Sequence, residues 1–137
     1  MRALILGCGR VGTMLALRLA GEKWDVTVVD GNPDAFVALG DRFSGRRISG
    51  RIMDEETLRT AGLDGADLVA ILTSDDIVNL MVAQLARNKF QTGRVLVRVR
   101  DANKAGAYQE LGLRTICPSR MELEAILKDI GLGPRAA

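Results

Sequence analysis

Short runs of consecutive apolar residues alternate along the chain with longer stretches in which apolar positions recur every three or four residues. The runs are Ala3-Leu4-Ile5-Leu6, Val26-Thr27-Val28-Val29, Leu68-Val69-Ala70-Ile71-Leu72 and Val95-Leu96-Val97-Arg98-Val99. Rich in valine, isoleucine and leucine, they predict strands buried on both faces of a parallel sheet. Weaker strands around Arg47-Ile48-Ser49 and near Thr115-Ile116 bring the predicted total to about six. The helical period places one helix from about Arg10 through Leu15, Leu17 and Leu19 to Gly21. A short one runs from Pro33 through Phe36, Val37 and Leu39 to Gly40, and another begins near Asp54, turns Leu58 and Ala61 inward and stops at Gly62. Proline at a helix start and glycine at a stop follow from the fixed φ of the one and the free φ of the other. A fourth helix carries Ile77, Leu80, Met81 and Leu85 as its inward stripe. Thr73 or Ser74 is its predicted cap, and Asp75 and Asp76 lie at its positive end. A fifth lies around Ala102 to Leu111, before Gly112. The last, amphipathic, runs from about Ser119 through Leu123, Ile126 and Ile130 to Gly131, and the tail Gly133-Pro134-Arg135-Ala136-Ala137 is expected to fray.

This succession of βα units predicts an α/β fold, a Rossmann-like doubly wound parallel sheet of about six strands with helices on both faces. The 137 residues, 47% of them hydrophobic, suffice for one core, and neither a repeat nor a low-complexity linker divides them. The formal net charge of only +2, with 26% charged residues, does not give the dense basic surface of a nucleic-acid binder. Cys8 and Cys117 stand far apart and in no metal-ligand spacing, so neither a disulfide framework nor a metal site is predicted, and a reduced, cytoplasmic setting fits. No apolar run approaches the roughly 18 to 20 residues that span a bilayer, and Met1 leads into a strand without signal-peptide architecture. Direct membrane insertion is therefore not expected. The sequence contains no histidine, the usual proton carrier near neutral pH, and Tyr108 is followed four residues on by Gly112 rather than lysine. No catalytic residue is predicted.

The first strand ends in Gly7-Cys8-Gly9-Arg10-Val11-Gly12, a G-x-G-x-x-G loop between a predicted strand and a predicted helix. Gly7 permits the tight turn, Gly9 lets backbone approach a pyrophosphate, and Gly12 allows close helix packing while the helix N-terminus faces the negative charge. Cys8 has no histidine to activate it and is expected to be a small loop residue. Asp30, at the end of the second strand and roughly 20 residues past the loop, suits the hydroxyls of an unphosphorylated adenosine ribose and disfavours NADP. Arg10 can reach a terminal phosphate from the first helical turn. In such a fold the crevice lies beyond the carboxyl ends of the strands, which adds Thr73, Ser74 and Arg98 to the site, with Asn79 bracing their loop. Arg98 and Arg100 alternate onto one face of their strand, where at least one is expected to meet solvent or an anion.

Together, Gly7 to Gly12, Asp30, Ala61-Gly62-Leu63 to Ala66-Asp67, Leu72-Thr73-Ser74-Asp75-Asp76, Asn79 and Val97-Arg98 resemble the TrkA N-terminal domain family, the Rossmann lobes of RCK/KTN regulators of potassium transport. The resemblance runs from Met1 to about Pro118. It implies a nucleotide-binding domain over residues 1–118 and a C-terminal, crossover helix and tail over 119–137. It also implies a cytoplasmic regulatory subunit that binds ATP/ADP or NAD(H), forms homo-oligomers (dimers or gating rings), and controls a membrane-embedded potassium channel or transporter, through which it sits at the inner face of the cell membrane. By the resemblance Gly7, Cys8, Gly9, Arg10, Val11 and Gly12 hold the phosphates and Asp30 the ribose. Gly50 and Arg51 then flank the adenine, and Thr73, Ser74 and Arg98 close the far side. Arginine in the glycine loop leans toward ATP/ADP. Two features depart from the family. Arg51 stands where an aspartate or asparagine usually follows the glycine, and since it donates but cannot accept, it can stack on an adenine without reading its amino group. The chain also ends after its last helix, without the C-terminal ligand-binding lobe that many members carry. A small NAD-dependent oxidoreductase or cofactor-binding domain, and a degenerate Rossmann scaffold used for oligomerisation, are the alternative readings. Whether the last helix covers its own sheet or a neighbouring subunit is open at this level.

Overall fold

Parallel pairing joins six strands into one sheet: β1 (Arg2–Leu6), β2 (Asp25–Asp30), β3 (Arg46–Ser49), β4 (Leu68–Ile71), β5 (Arg94–Arg98) and β6 (Arg114–Ile116). These come from a computed structural model that describes residues 1–133, so the fraying expected at Pro134-Arg135-Ala136-Ala137 lies outside the described residues. The spatial order is β3-β2-β1-β4-β5-β6. The chain winds outward from β1 to β3, then returns to the other side of β1 for β4, so β1 and β4 flank the point where direction reverses. In doubly wound sheets that point opens a crevice at the carboxyl ends of the strands. Leu6, the last residue of β1, lies opposite Val29 on one side and Ile71 on the other.

The alternation of side chains along each strand supplies two apolar layers. β1 sends Leu4 and Leu6 into a cluster with Leu58, Leu63, Val82, Ala83, Ala86 and Tyr108, while Ala3 and Ile5 join Ala16, Val28, Leu39, Phe43 and Leu72 on the opposite face. The first layer is covered by α2 (Glu55–Thr60), α3 (Asp76–Lys89) and α4 (Ala102–Glu110). The second is covered by α1 (Arg10–Gly21) and a short 3-10 helix, Pro33–Leu39. Each large aliphatic side chain removed from water in this way stabilises the fold by about 1.5–3 kcal/mol.

Three local expectations are corrected. The segment after β2 is a 3-10 helix, capped at Asn32, whose side chain accepts from the Asp34 N–H at 3.0 Å, and ended by Gly40 at φ +66°. With three residues per turn it stacks Phe36 and Leu39 on one side and leaves Val37 at 78% exposure, so Val37 does not face inward. On α3 the buried positions are Asn79, Val82, Ala83 and Ala86, whereas Ile77 and Met81 are exposed. Small residues let the helix approach the sheet closely; Leu80 and Leu85 of the predicted stripe pack half-buried against the core, and only Ile77 and Met81 are turned away from it. The cap of α3 is Asp75, not Thr73 or Ser74: its carboxylate accepts from the N–H groups of Ile77 at 2.9 Å and Val78 at 3.2 Å. The last helix, α5 (Pro118–Asp129), buries none of its residues in this chain. Met121, Leu123 and Ile126 on it and Ile130 just after it are all more than half exposed. Covering its own sheet is thereby excluded for α5.

Candidate functional site

The loop Gly7 to Gly12 leaves β1 by continuing the sheet for one more bond, the Gly7 N–H donating to the Val29 carbonyl at 2.8 Å. Gly7 then turns with φ +108°, a backbone conformation that side chains rarely tolerate, and a Cβ there would stand 2.9 Å from the Leu72 carbonyl carbon. Gly12 packs so close to the loop's entry that a Cβ would run into the carbonyl oxygen of Gly7. The first turn of α1 is thereby pressed against the end of β1. Gly9 faces open space and is the N-cap of α1, with no side-chain cap and no acidic residue in the first turn. The N-terminal N–H groups of α1 and the helix dipole are left available to an external anion.

Asp30 fastens this loop to the rest of the crevice. One carboxylate oxygen accepts from the Cys8 N–H at 2.8 Å, the other from the Asn32 N–H at 2.9 Å, and its carbonyl accepts from the Gly50 N–H at 3.1 Å. One residue thus links the glycine loop, the turn after β2 and the end of β3. Each carboxylate oxygen keeps a further lone pair, so the clamp is compatible with accepting a ribose hydroxyl. Cys8 is buried, its Sγ 3.5 Å from Thr13 Oγ1. Arg10, Val11 and Arg51 are exposed, and neither arginine forms an ion pair among the described residues.

On the other side of β1, the β4–α3 loop is held by side chains. Asn79, fully buried, donates from Nδ2 to the Thr73 carbonyl at 3.0 Å and to the Arg98 carbonyl at 2.9 Å, and its Oδ1 accepts from the Thr73 hydroxyl. The bracing expected of Asn79 is therefore present. Arg98 turns out to be engaged with the protein itself: its guanidinium donates to the carbonyls of Leu72 and Thr73. Burial draws its proton affinity below the ordinary arginine range, Arg100 adds to that, and Asp76 opposes it. Ser74 is exposed, and its carbonyl takes a bond from Arg100 at 3.4 Å. Sequence reasoning missed the part played by Asp76, whose two carboxylate oxygens accept from the N–H groups of Arg100 and Asp101 at 2.8 and 3.0 Å. Its carbonyl also accepts from the Tyr108 hydroxyl at 2.9 Å, and burial first, then Asp76 and Asp75, hold the Tyr108 phenol above its usual pKa.

The carboxyl ends of β1 to β5 thus bring together Gly7 to Gly12, Asp30, Gly50, Arg51, Thr73, Ser74 and Arg98 along one edge of the sheet. Gly7 touches Leu72 and Thr73, which are in turn held by Arg98 and Asn79. The arrangement offers N–H groups and the exposed guanidinium of Arg10 to an anion, and a carboxylate beside them to hydroxyls.

Comparison with known proteins matches residues 3–118 to the TrkA-N domain family. The Trk system potassium uptake protein TrkA of Streptomyces coelicolor is 38% identical over 128 residues, covering 93% of this chain and 57% of that protein. The protein of the same name from Vibrio alginolyticus is 36% identical over 101 residues, covering 74% of this chain and 22% of that protein. The chain therefore spans about half or less of these relatives' length. Among solved structures, the TrkA-N domain of the inner membrane protein ybaL from Escherichia coli superposes with a TM-score of 0.82 at 21% identity, covering 93% of this chain and 94% of that one. The GsuK channel bound to NAD gives a TM-score of 0.73 at 18% identity, covering 88% of this chain and 22% of that one. A Kef C-terminal domain from Shewanella denitrificans in AMP-bound form gives 0.77 at 21%, covering 96% and 82%. At these identities the likeness is one of fold.

Proposed function

The chain belongs to the TrkA-N domain family, and from that premise we propose that it is a nucleotide-binding regulatory domain for potassium transport, acting through binding and conformational change rather than catalysis. The observation that carries this reading is the glycine loop clamped by Asp30 beside an uncapped helix N-terminus. Relatives named for potassium uptake support the biological setting. Solved folds of the same kind, described as bound to NAD, ADP or AMP, support an adenine nucleotide as ligand. In this reading the N–H groups of Arg10, Val11 and Gly12 receive phosphate oxygens, Asp30 receives the ribose, and Arg51 stacks against the base. Thr73 and Ser74 border the far side, with Arg98 shaping that border through the carbonyls it holds. The partner is a membrane-embedded potassium channel or transporter subunit, with this domain on its cytoplasmic side.

The unburied apolar face of α5 supports its assignment as a crossover helix, residues 119–137 reaching a second copy while residues 1–118 form the nucleotide domain. Light scattering on the purified chain is expected to give a dimer or larger closed assembly, and Leu123→Glu together with Ile126→Glu should return it to a monomer. A monomeric wild-type chain would remove this role from α5.

A ligand shifts a regulator only by binding its conformations unequally, so ATP and ADP must differ in what they touch. Arg10, exposed at the first turn of α1 and without an ion pair among the described residues, is the group assigned to the γ-phosphate. Calorimetric titration of nucleotide-free protein with ATP, ADP, AMP, NAD and NADH tests the reading as a whole. Tight binding of ATP or ADP supports it in the form given, a preference for NADH makes the domain a redox sensor, and no binding at all leaves only a scaffold. Within the same experiment Arg10→Ala is expected to weaken ATP by about tenfold, the worth of one charge-assisted bond, and ADP by less. Equal losses would remove Arg10 from the γ-phosphate.

A further inference from the structure

At the end of the sheet opposite the glycine loop, Arg87, Arg94 and Arg114 line one cavity of about 250 Å³ together with Gly93, Val95 and Gly112. The three come from separate elements: Arg87 from the last turn of α3, Arg94 from the first position of β5 and Arg114 from the first position of β6. Because β5 and β6 are parallel neighbours with Leu96 opposite Arg114, both strands open at this same edge. None of the three forms an ion pair among the described residues, whose ion pairs are Arg18–Glu22, Arg59–Glu55 and Lys89–Glu55. The acids on the nearby turn are engaged elsewhere, Asp64 accepting from the Gln91 N–H and Asp67 from the Arg2 N–H.

Arg87, Arg94 and Arg114 are exposed, and with no ion-pair partner among the described residues they gather three cations around one cavity. Arg87 is also fixed in place. Its Nη1 donates to the Leu111 carbonyl at 2.9 Å, and Gly112, at φ +81°, leaves it room that a Cβ 3.3 Å from the guanidinium would take away. That bond, and the carbonyl ends of α3 and α4, offset part of the charge of Arg87. Arg94 and Arg114 make no side-chain hydrogen bond among the described residues, so their donors all remain. Guanidinium forks match the oxygens of phosphate in pairs. The volume falls below the roughly 300–1,000 Å³ of sites that enclose drug-sized ligands, which favours a compact anion over a dinucleotide. Five residues of strand, at about 3.3 Å each, separate this edge from the nucleotide crevice.

We propose that Arg87, Arg94 and Arg114 form a second anion site, for a compact phosphate-bearing group of the phosphomonoester or diphosphate class, separate from the glycine loop. The site does not depend on the nucleotide reading, and the test locates binding directly. Pyrophosphate is titrated into isotopically labelled protein of residues 1–137 in phosphate-free buffer while backbone amide resonances are followed. Saturable movement of the Gly93 and Gly112 amides is expected, with affinity reduced about tenfold or more in Arg94→Gln and again in Arg114→Gln. Movement confined to the Gly7 to Gly12 amides, no saturable movement, or unchanged affinity in both variants overturns the proposal. Sedimentation with phosphatidylcholine vesicles, with and without phosphatidic acid, then separates the sources. Co-sedimentation that needs phosphatidic acid and is lost in Arg94→Gln identifies a lipid headgroup, whereas pyrophosphate binding without co-sedimentation identifies a soluble anion.

Discussion

An Asp30→Ala protein is expected to bind ATP, ADP and NAD on the order of a hundredfold more weakly than the wild type. The loss has two parts. Directly, the ribose hydroxyls would lose an ionised acceptor, and bonds to charged groups contribute about 1.5–3 kcal/mol. Indirectly, the Cys8 and Asn32 N–H groups lose the carboxylate that holds them, so the glycine loop is no longer fixed before the ligand arrives. Inorganic tripolyphosphate, which has no ribose, separates the two. If the clamp matters as its geometry indicates, tripolyphosphate binding also falls. If Asp30 acts only at the ribose, tripolyphosphate binds both proteins alike. Asp30→Asn should lie between wild type and alanine, since one amide oxygen can still accept while the amide nitrogen opposes an N–H. Unchanged affinity for all the adenosine ligands in Asp30→Ala would take the residue out of the site.

The geometry of the glycine loop was legible because it is dictated by a backbone requirement that few residue types satisfy, whereas the clamp that Asp30 makes on the Cys8 and Asn32 N–H groups was not. Gly7 needs a positive φ and Gly12 a side chain of no size, so their spacing after a strand is itself a geometric statement. The sheet was legible for a related reason: the runs at β1, β2 and β4 are buried on both faces, while β5 alternates buried Val95 and Val97 with half-buried Leu96 and Arg98. What failed were the features settled by contact. On α3 the predicted stripe is half right: Leu80 and Leu85 pack partly buried against the core, whereas Ile77 and Met81 do not. The sheet instead takes Ala83 and Ala86, and with them the polar Asn79. Ile77 and Met81 remain exposed on a helix whose start is tied to the nucleotide edge by Asp75, Asp76 and Asn79. The Arg98–Arg100 pair was legible in part: Arg100 is exposed, as expected of at least one of the two, whereas the partners of Arg98 carry no sequence signal. Alternation along β5 points to a side chain seeking solvent or an anion, and only the assembled loop shows that two main-chain carbonyls meet its guanidinium. Buried polar side chains serving backbone carry no periodic signal, because their partners are distant in sequence.

Asn79 gives the clearest energetic test of that point. Asn79→Leu is expected to destabilise the fold by about 2–4 kcal/mol, read as a lower urea midpoint with an unchanged denaturant slope. Leucine is close in size, so the cost does not arise from a cavity. It arises because the Arg98 carbonyl loses its Nδ2 donor, the Thr73 hydroxyl keeps only its longer bond to the Asp75 carbonyl, and the Thr73 carbonyl keeps only the guanidinium of Arg98. Asn79→Asp should be worse at neutral pH, since a buried carboxylate would face the Thr73 and Arg98 carbonyls with no proton to give. Burial raises such a carboxyl's pKa above its unfolded value. Relative to wild type, the aspartate variant is therefore least impaired in acid, where its protonated form can donate, and loses stability as pH rises past the unfolded pKa of about 3.9. The leucine variant should show no such dependence. Because Gly7 packs against Leu72 and Thr73, the loosened loop should also weaken nucleotide binding in Asn79→Leu at temperatures where the protein is still folded. A urea midpoint within error of wild type would mean that this buried amide contributes nothing net, and that the β4–α3 loop is held by Asp75, Asp76 and Arg98 without it.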